Sequence, residues 1–340
     1  MAARCSAGLG VLALGLGLVS PASASPVSAG QATAATPERG VAARVVGSGS
    51  PSSCTSGAVV KAVKAGGKVT FDCGSDPVVI VMKRTAKILN TNPKTIIDGG
   101  GLVTLSGAGT RRIIYQNTCD PKQVWTTDHC QDQKEPLLVL KRLRLVRGNS
   151  TGDRSEGGGG GAVFVRGGRL KVVDSVFDRN RCDRVGPDLG GAAIRVLSHW
   201  SRRPVKVSGS TFTRGRCSNG AAVSSIGVSW QVRDSVFRRN KAIGRGANPA
   251  RPGSPGGGSG GAIYLDGNTF TLRLARVRME NNRAREGGGA IFFVSNDRSG
   301  AMTISASTLR SNPSAGFENY PGIFFLGKNK PKFINGTIVQ

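Results

Sequence analysis

The sequence predicts an all-β fold built as a solenoid of stacked parallel strands, and three observations lead there. A Gly-Ala opening followed by an apolar strand recurs through the second half of the 340-residue chain: GGAVFV (160–165), GGAAIRV (190–196), GAAVSS (220–225), GGAIYL (260–265) and GGAIFF (288–293). Each opening runs through β-rich sequence to a hydrophobic-x-x-Asn step: VFDRN, VFRRN, RMENN and TLRSN end on Asn180, Asn240, Asn282 and Asn312. TFTRG has Gly215 in that place. The units show almost no helical periodicity. A unit of about 30 residues that cannot bury its own apolar face has to stack on its neighbours.

From the N-terminus, Arg4 precedes an apolar run from Ala7 to Val19, and Ala22-Ser23-Ala24 is a small-x-small cleavage signal. Residues 1–24 thus read as a signal peptide for export. The run is too short and too glycine-rich for a membrane span. Residues 25–50 are Ala-, Ser-, Thr-, Gly- and Pro-rich and read as a flexible leader, which leaves 51–340 as one elongated domain. With Cys5 removed, six cysteines remain: Cys54, Cys73, Cys119, Cys130, Cys182 and Cys217. An even count in an exported chain points to disulfides rather than metal, and the spacing suggests three local pairs.

Alignment of the repeats on their large apolar residue superposes Leu145, Phe177, Phe212, Phe237, Met279 and Leu309. Three positions on, the Asn/Gly row suits a tight bend in which Asn bonds its copy in the next rung. Five positions on stand Cys182, Cys217, Ala242 and Ala284. Cys182 and Cys217 therefore fall one strand spacing apart, within disulfide reach. The positions between face solvent and are cationic. Arg147, Arg179, Arg214 and Arg239 make one row; Arg181, Arg216, Lys241 and Arg283 make the next. Parallel stacking brings such copies to about 4.8 Å, where like charges repel unless solvent, salt or a ligand screens them.

The GGAI openings with FxxN endings resemble the repeats of chlamydial polymorphic outer-membrane proteins and of exported β-helix proteins in the pectate-lyase-like superfamily. CTSGAVVKAVKAGGKVTFDCG (54–74) resembles that superfamily's capping helix leading into a first strand, and KTIIDGGGLVTLSG (94–107) its early Asp-Gly-Gly-Gly turn. The resemblance implies a single-stranded right-handed parallel β-helix with a short capping helix near 55–65. Cys54–Cys73 would tie that helix to the first strand, and Cys119–Cys130 would staple the loop 115–136.

This fold hosts enzymes, adhesins and inert spikes alike, so function has to come from the site. Lys+Arg number 47 against 20 Asp+Glu, a formal charge of +27, and the excess favours polyanionic partners. The expected function is extracellular or cell-surface binding of acidic polysaccharide or cell-wall polymer along the eight-residue basic stripe. The expected protein is a monomer with no membrane span, and nucleic acid is not its expected physiological partner. A uronan or pectate lyase and a structural or adhesive surface protein are the alternatives. Glycoside hydrolysis needs carboxylates across one bond, and the chain has no adjacent acidic pair. If it is an enzyme, a lyase is the better reading, with catalytic residues unassigned. No cofactor is expected, except calcium for a lyase. The densest acids for that ion are Asp120, Asp128, Asp132 and Glu135, near Trp125 and His129. His199-Trp200 with Arg202 and Arg203 is a second possible sugar contact. The Gly/Pro-rich insertion 244–260 reads as a tolerated loop, and Asp174 and Asp234 as a solvated cross-strand row.

Overall fold

The structure, a computed structural model, describes residues 42–340; the stretch read as a signal peptide, 1–24, and the stretch read as leader, as far as residue 41, lie outside the described residues. Successive coils pass through three long sheets in constant order. Sheet I has ten strands, from Ala43–Val46 to Lys332–Ile334. Sheet II has nine, from Val78–Val81 to Ile338–Val339, and sheet III eight, from Ala86–Ile88 to Ile323–Leu326. One coil reads Val163–Arg166 in sheet III, Arg169–Val173 in sheet I and Val176–Asp178 in sheet II. The strands pair in parallel and in step, as in Val163↔Ile194, Leu170↔Leu138 and Phe177↔Phe212. The fold is a parallel β-helix.

The stack begins earlier than residue 51. Ala43–Val46 pairs with Lys68 to Phe71, so the last part of the stretch read as leader is a strand. Its β-branched Val45 and Val46 extend the edge of sheet I despite the polar composition around them. The one α-helix among the described residues, α1 (Ser56–Ala65), starts where the Thr55 side chain accepts the Ala58 N–H and stops at Gly66, whose φ of 70° lies in the left-handed region. Its buried Val59 and Val63 belong to the main core, so the helix covers apolar residues at the first coil. Disulfides join Cys54–Cys73, Cys119–Cys130 and Cys182–Cys217, with Cα separations of 5.7, 5.0 and 4.8 Å.

Inside, each repeat position becomes a column. Phe177, Phe212 and Phe237 stack face to face at centroid spacings of 4.7 Å. At the corner leaving sheet II, the buried asparagines form a ladder. Asn240 donates from Nδ2 to Asn282 Oδ1, and Asn282 to Asn312 Oδ1, both at 2.9 Å. Each also donates to a carbonyl of the preceding coil, Asn240 to Phe212 and Asn282 to Phe237. Gly215 interrupts the row because a Cβ there would come 1.9 Å from the Ala221 carbonyl oxygen. A serine ladder at the corner between sheets I and II complements it. Ser175 N–H donates to Ser210 Oγ and Ser210 N–H to Ser235 Oγ, and each hydroxyl donates to a carbonyl two residues back. Asp174 and Asp234 belong to this corner and not to a strand row. Both have left-handed φ, 46° and 52°, which a short polar side chain tolerates.

Replacing Asn282 by Ala removes two donated bonds and leaves the backbone N–H of Asn240 without a partner in a dry corner. A stability loss of about 2–4 kcal/mol is expected, read as a lower urea midpoint. An unchanged midpoint would show that the ladder is not what holds the coils in register.

Candidate functional site

The two cationic rows flank the asparagine ladder. After each sheet II strand the backbone turns through a left-handed residue: Arg147, Arg179, Arg214 and Arg239, with φ of 51°, 51°, 56° and 57°. The next residue is the buried Gly or Asn, and the chain then enters a narrow strip in which Asn149, Arg181, Arg216, Lys241 and Arg283 face one another in register. All eight basic residues are exposed. The rows are offset by one coil and overlap at 179/181, 214/216 and 239/241. Beyond the last cation, the left-handed corner is taken by Asn281 and Ser311. Asn is the residue this backbone prefers after Gly, whereas a long side chain there costs roughly 1 kcal/mol or more. Four coils place Arg in it nonetheless.

The rows are not uniformly free. Asp178, at the end of a sheet II strand, accepts both ends of the Arg214 fork at 2.7 Å and lies 3.5 Å from Arg179. Arg214 thus satisfies Asp178 and keeps less of its guanidinium for a ligand, and this carboxylate relieves part of the like-charge repulsion. Past it, Arg214, Arg216, Arg239, Lys241 and Asn281 wall an open hollow of about 480 Å³. Four of its five walls are cationic, and it is the place where an anionic group would meet both rows together. None of the eight is gathered with a carboxylate pair or a histidine; the corner offers charge and hydrogen-bond donors.

The loop 115–136 does not assemble a metal-binding set. Asp120 turns inward and accepts from Tyr115 Oη, Gln123 Nε2 and the Lys122 N–H, while Asp132 accepts the Ser201 N–H. Among the described residues, no three His, Cys, Asp or Glu side chains converge to hold a metal ion. Trp200 lies beneath cations, with Arg203, Arg169 and Lys134 at 4.7, 5.6 and 6.0 Å from its ring centre. His199 is structural: Nε2 accepts the Leu170 N–H at 2.8 Å, and Nδ1 is 2.7 Å from the Arg203 carbonyl, to which it donates in that tautomer.

A further feature escaped the reading of the sequence. The outer face of sheet III is itself buried along most of its length, and its column runs Tyr115, Phe164, Arg195, Ser224, Tyr264 and Phe292 to the half-buried Phe324. Glycine-rich segments lie across it. The opening Gly160, Gly191, Gly220, Gly260 and Gly288 all have left-handed φ between 44° and 72°. The available signal was the run of consecutive apolar residues in IYL and IFF, the mark of a strand buried on both faces. No protein-family model, curated protein or solved structure matches this chain.

Burial holds the His199 imidazole down to about 4 from an ordinary 6.5. The folded protein therefore keeps His199 neutral where the unfolded chain already protonates it. Stability is fully present above pH 6.5 and is lost as pH falls towards 4, by about 3 kcal/mol at most for this shift. Measured against a His199→Gln variant, the stability difference should shrink across that window. A difference constant from pH 7 to 4 would rule the linkage out.

Proposed function

We propose that this chain is an exported β-helix protein that binds an acidic polysaccharide or cell-wall polymer along its cationic corner. The observation that carries the reading is the registered pair of exposed basic ladders, set one coil apart, with four arginines in a backbone position that favours Asn or Gly. A linear polyanion lying along the solenoid axis would meet a new guanidinium at every coil. Arg suits such a partner because its planar fork takes a carboxylate or sulfate with two parallel bonds. The net charge of +27 adds long-range attraction for the same class of ligand. Three disulfides suit an oxidising compartment outside the cell, and among the described residues no helix is long and apolar enough to cross a membrane.

The test is binding of polygalacturonate, a sulfated glycosaminoglycan and neutral dextran to the full chain. Acidic polymers should bind and dextran should not. Affinity should fall steeply as salt rises through the range where the Debye length shrinks below about 10 Å. Changing Arg179, Arg216 and Arg239 together to Ser should weaken binding at least ~10-fold, the cost of roughly 1.4 kcal/mol, and Lys replacements should restore it only in part. Arg214→Ser should cost less affinity than Arg216→Ser, because Asp178 already occupies the Arg214 fork. Equal binding of dextran, or an unaffected triple variant, would reduce the rows to a solvated face.

A further inference from the structure

On the outer side of sheet III the insertion 244–260 folds back over the strands, bridging to itself at Arg245↔Gly256 and Ala247↔Gly257. It builds one wall of a hollow of about 700 Å³. The floor is apolar. Phe292 stacks on Tyr264 at 4.9 Å and on Phe324 at 5.4 Å, so the rings form a strip stepping one coil at a time along the axis. Phe317 stands edge-on against Phe324 at 4.8 Å and closes one side. The rim is polar. Asn248 Nδ2 donates at 2.8 Å to Asp188 Oδ1 and at 2.8 Å to Asp266 Oδ2. These two oxygens are therefore no more than twice that distance apart. Asn296 Nδ2 reaches the other Asp266 oxygen at 3.2 Å.

The lining contains no Lys or Arg, in a chain with 47 of them, so a uronate or sulfate entering here meets only carboxylates and amides. Neither Asp188 nor Asp266 forms a salt bridge, though the buried guanidinium of Arg195, bonded to Ser224 Oγ, lies within electrostatic reach of both. Burial and then the nearby Asp188 charge raise the Asp266 carboxyl above its ordinary value, partly opposed by hydrogen bonds from Gly267, Tyr264 and Asn296. This favours a group able to donate as well as accept. An apolar ring surface beneath, with short planar carboxyl and amide groups at the edge, matches a pyranose. Its C–H face is apolar, and its equatorial hydroxyls each present a donor and an acceptor.

We propose that this cleft binds a neutral oligosaccharide, with a sugar ring on the half-buried Phe324, above the buried Phe292, and hydroxyls held by Asp188 and Asn296. The site lies on a different sheet from the cationic corner and stands independently of the polyanion reading. Its test is calorimetric titration of the full chain with neutral hexasaccharides of glucose, mannose, xylose and N-acetylglucosamine, with hexa-galacturonate and hexa-glucosamine as charged controls. At least one neutral hexamer should bind. Phe324→Ala should weaken it about 10-fold, near the upper range for an aromatic contact. The exposed Asp188→Asn, which leaves the packing intact, should weaken it several-fold. The Arg179/Arg216/Arg239 triple Ser variant should leave it unchanged. The proposal fails if no neutral hexamer binds at millimolar concentration, if Asp188→Asn and Phe324→Ala bind as the parent does, or if hexa-glucosamine or hexa-galacturonate binds more tightly than every neutral hexamer.

Discussion

In this protein, each coil's backbone must bond in step to the coil before it, and nearly everything else follows from that registry. A slip of one residue would turn every inward side chain outward, so the ladders at the corners matter more than their number of bonds suggests. Asn240, Asn282 and Asn312 bond one another and also reach back to the preceding coil. Ser175, Ser210 and Ser235 bond one another at the corner before it, and their hydroxyls donate to carbonyls of their own coils. Both corners lie at the ends of short sheet II strands, where few backbone bonds would otherwise oppose slippage. The aromatic stack of Phe177, Phe212 and Phe237 fills the interior in the same register.

Registry also turns sequence repetition into surface chemistry. A basic residue at one repeat position becomes a row at the strand spacing, which is unfavourable electrostatically but well matched to a polymer with regularly spaced anions. The chain offsets part of this with Asp178, which holds the Arg214 fork, and leaves the hollow between Arg216, Arg239 and Lys241 without a carboxylate. The same principle on sheet III produces the ring strip of Tyr264, Phe292 and Phe324. One architecture thus builds a charged corner and an aromatic strip that reaches the surface at Phe324.

Much of this was legible because a solenoid translates sequence period directly into neighbours in space. The column Leu145 to Leu309, the asparagine row, the pairing of Cys182 with Cys217 and the order of both basic rows were each read from alignment of repeats. The capping helix and the Cys54–Cys73 bridge came from resemblance instead. Two readings were altered. Ala43–Val46 is a strand, since a sheet edge accepts any extended β-branched segment, and Asp174 and Asp234 are left-handed corner residues, since the two-residue turn between sheets I and II demands that backbone.

The sequence by itself determined the parallel stacking, the inward columns and the line of the cations, because each depends only on which residues share a repeat position. Contacts between non-equivalent positions were decided by the tertiary structure alone. Asp178 reaching Arg214, Asn248 of the insertion closing over Asp188 and Asp266, and glycine segments burying the outer face of sheet III all join residues with no common place in the repeat. Periodicity carries no information about such meetings. They follow from how far each loop leaves its coil and which face it folds back upon, and that is fixed by packing in three dimensions.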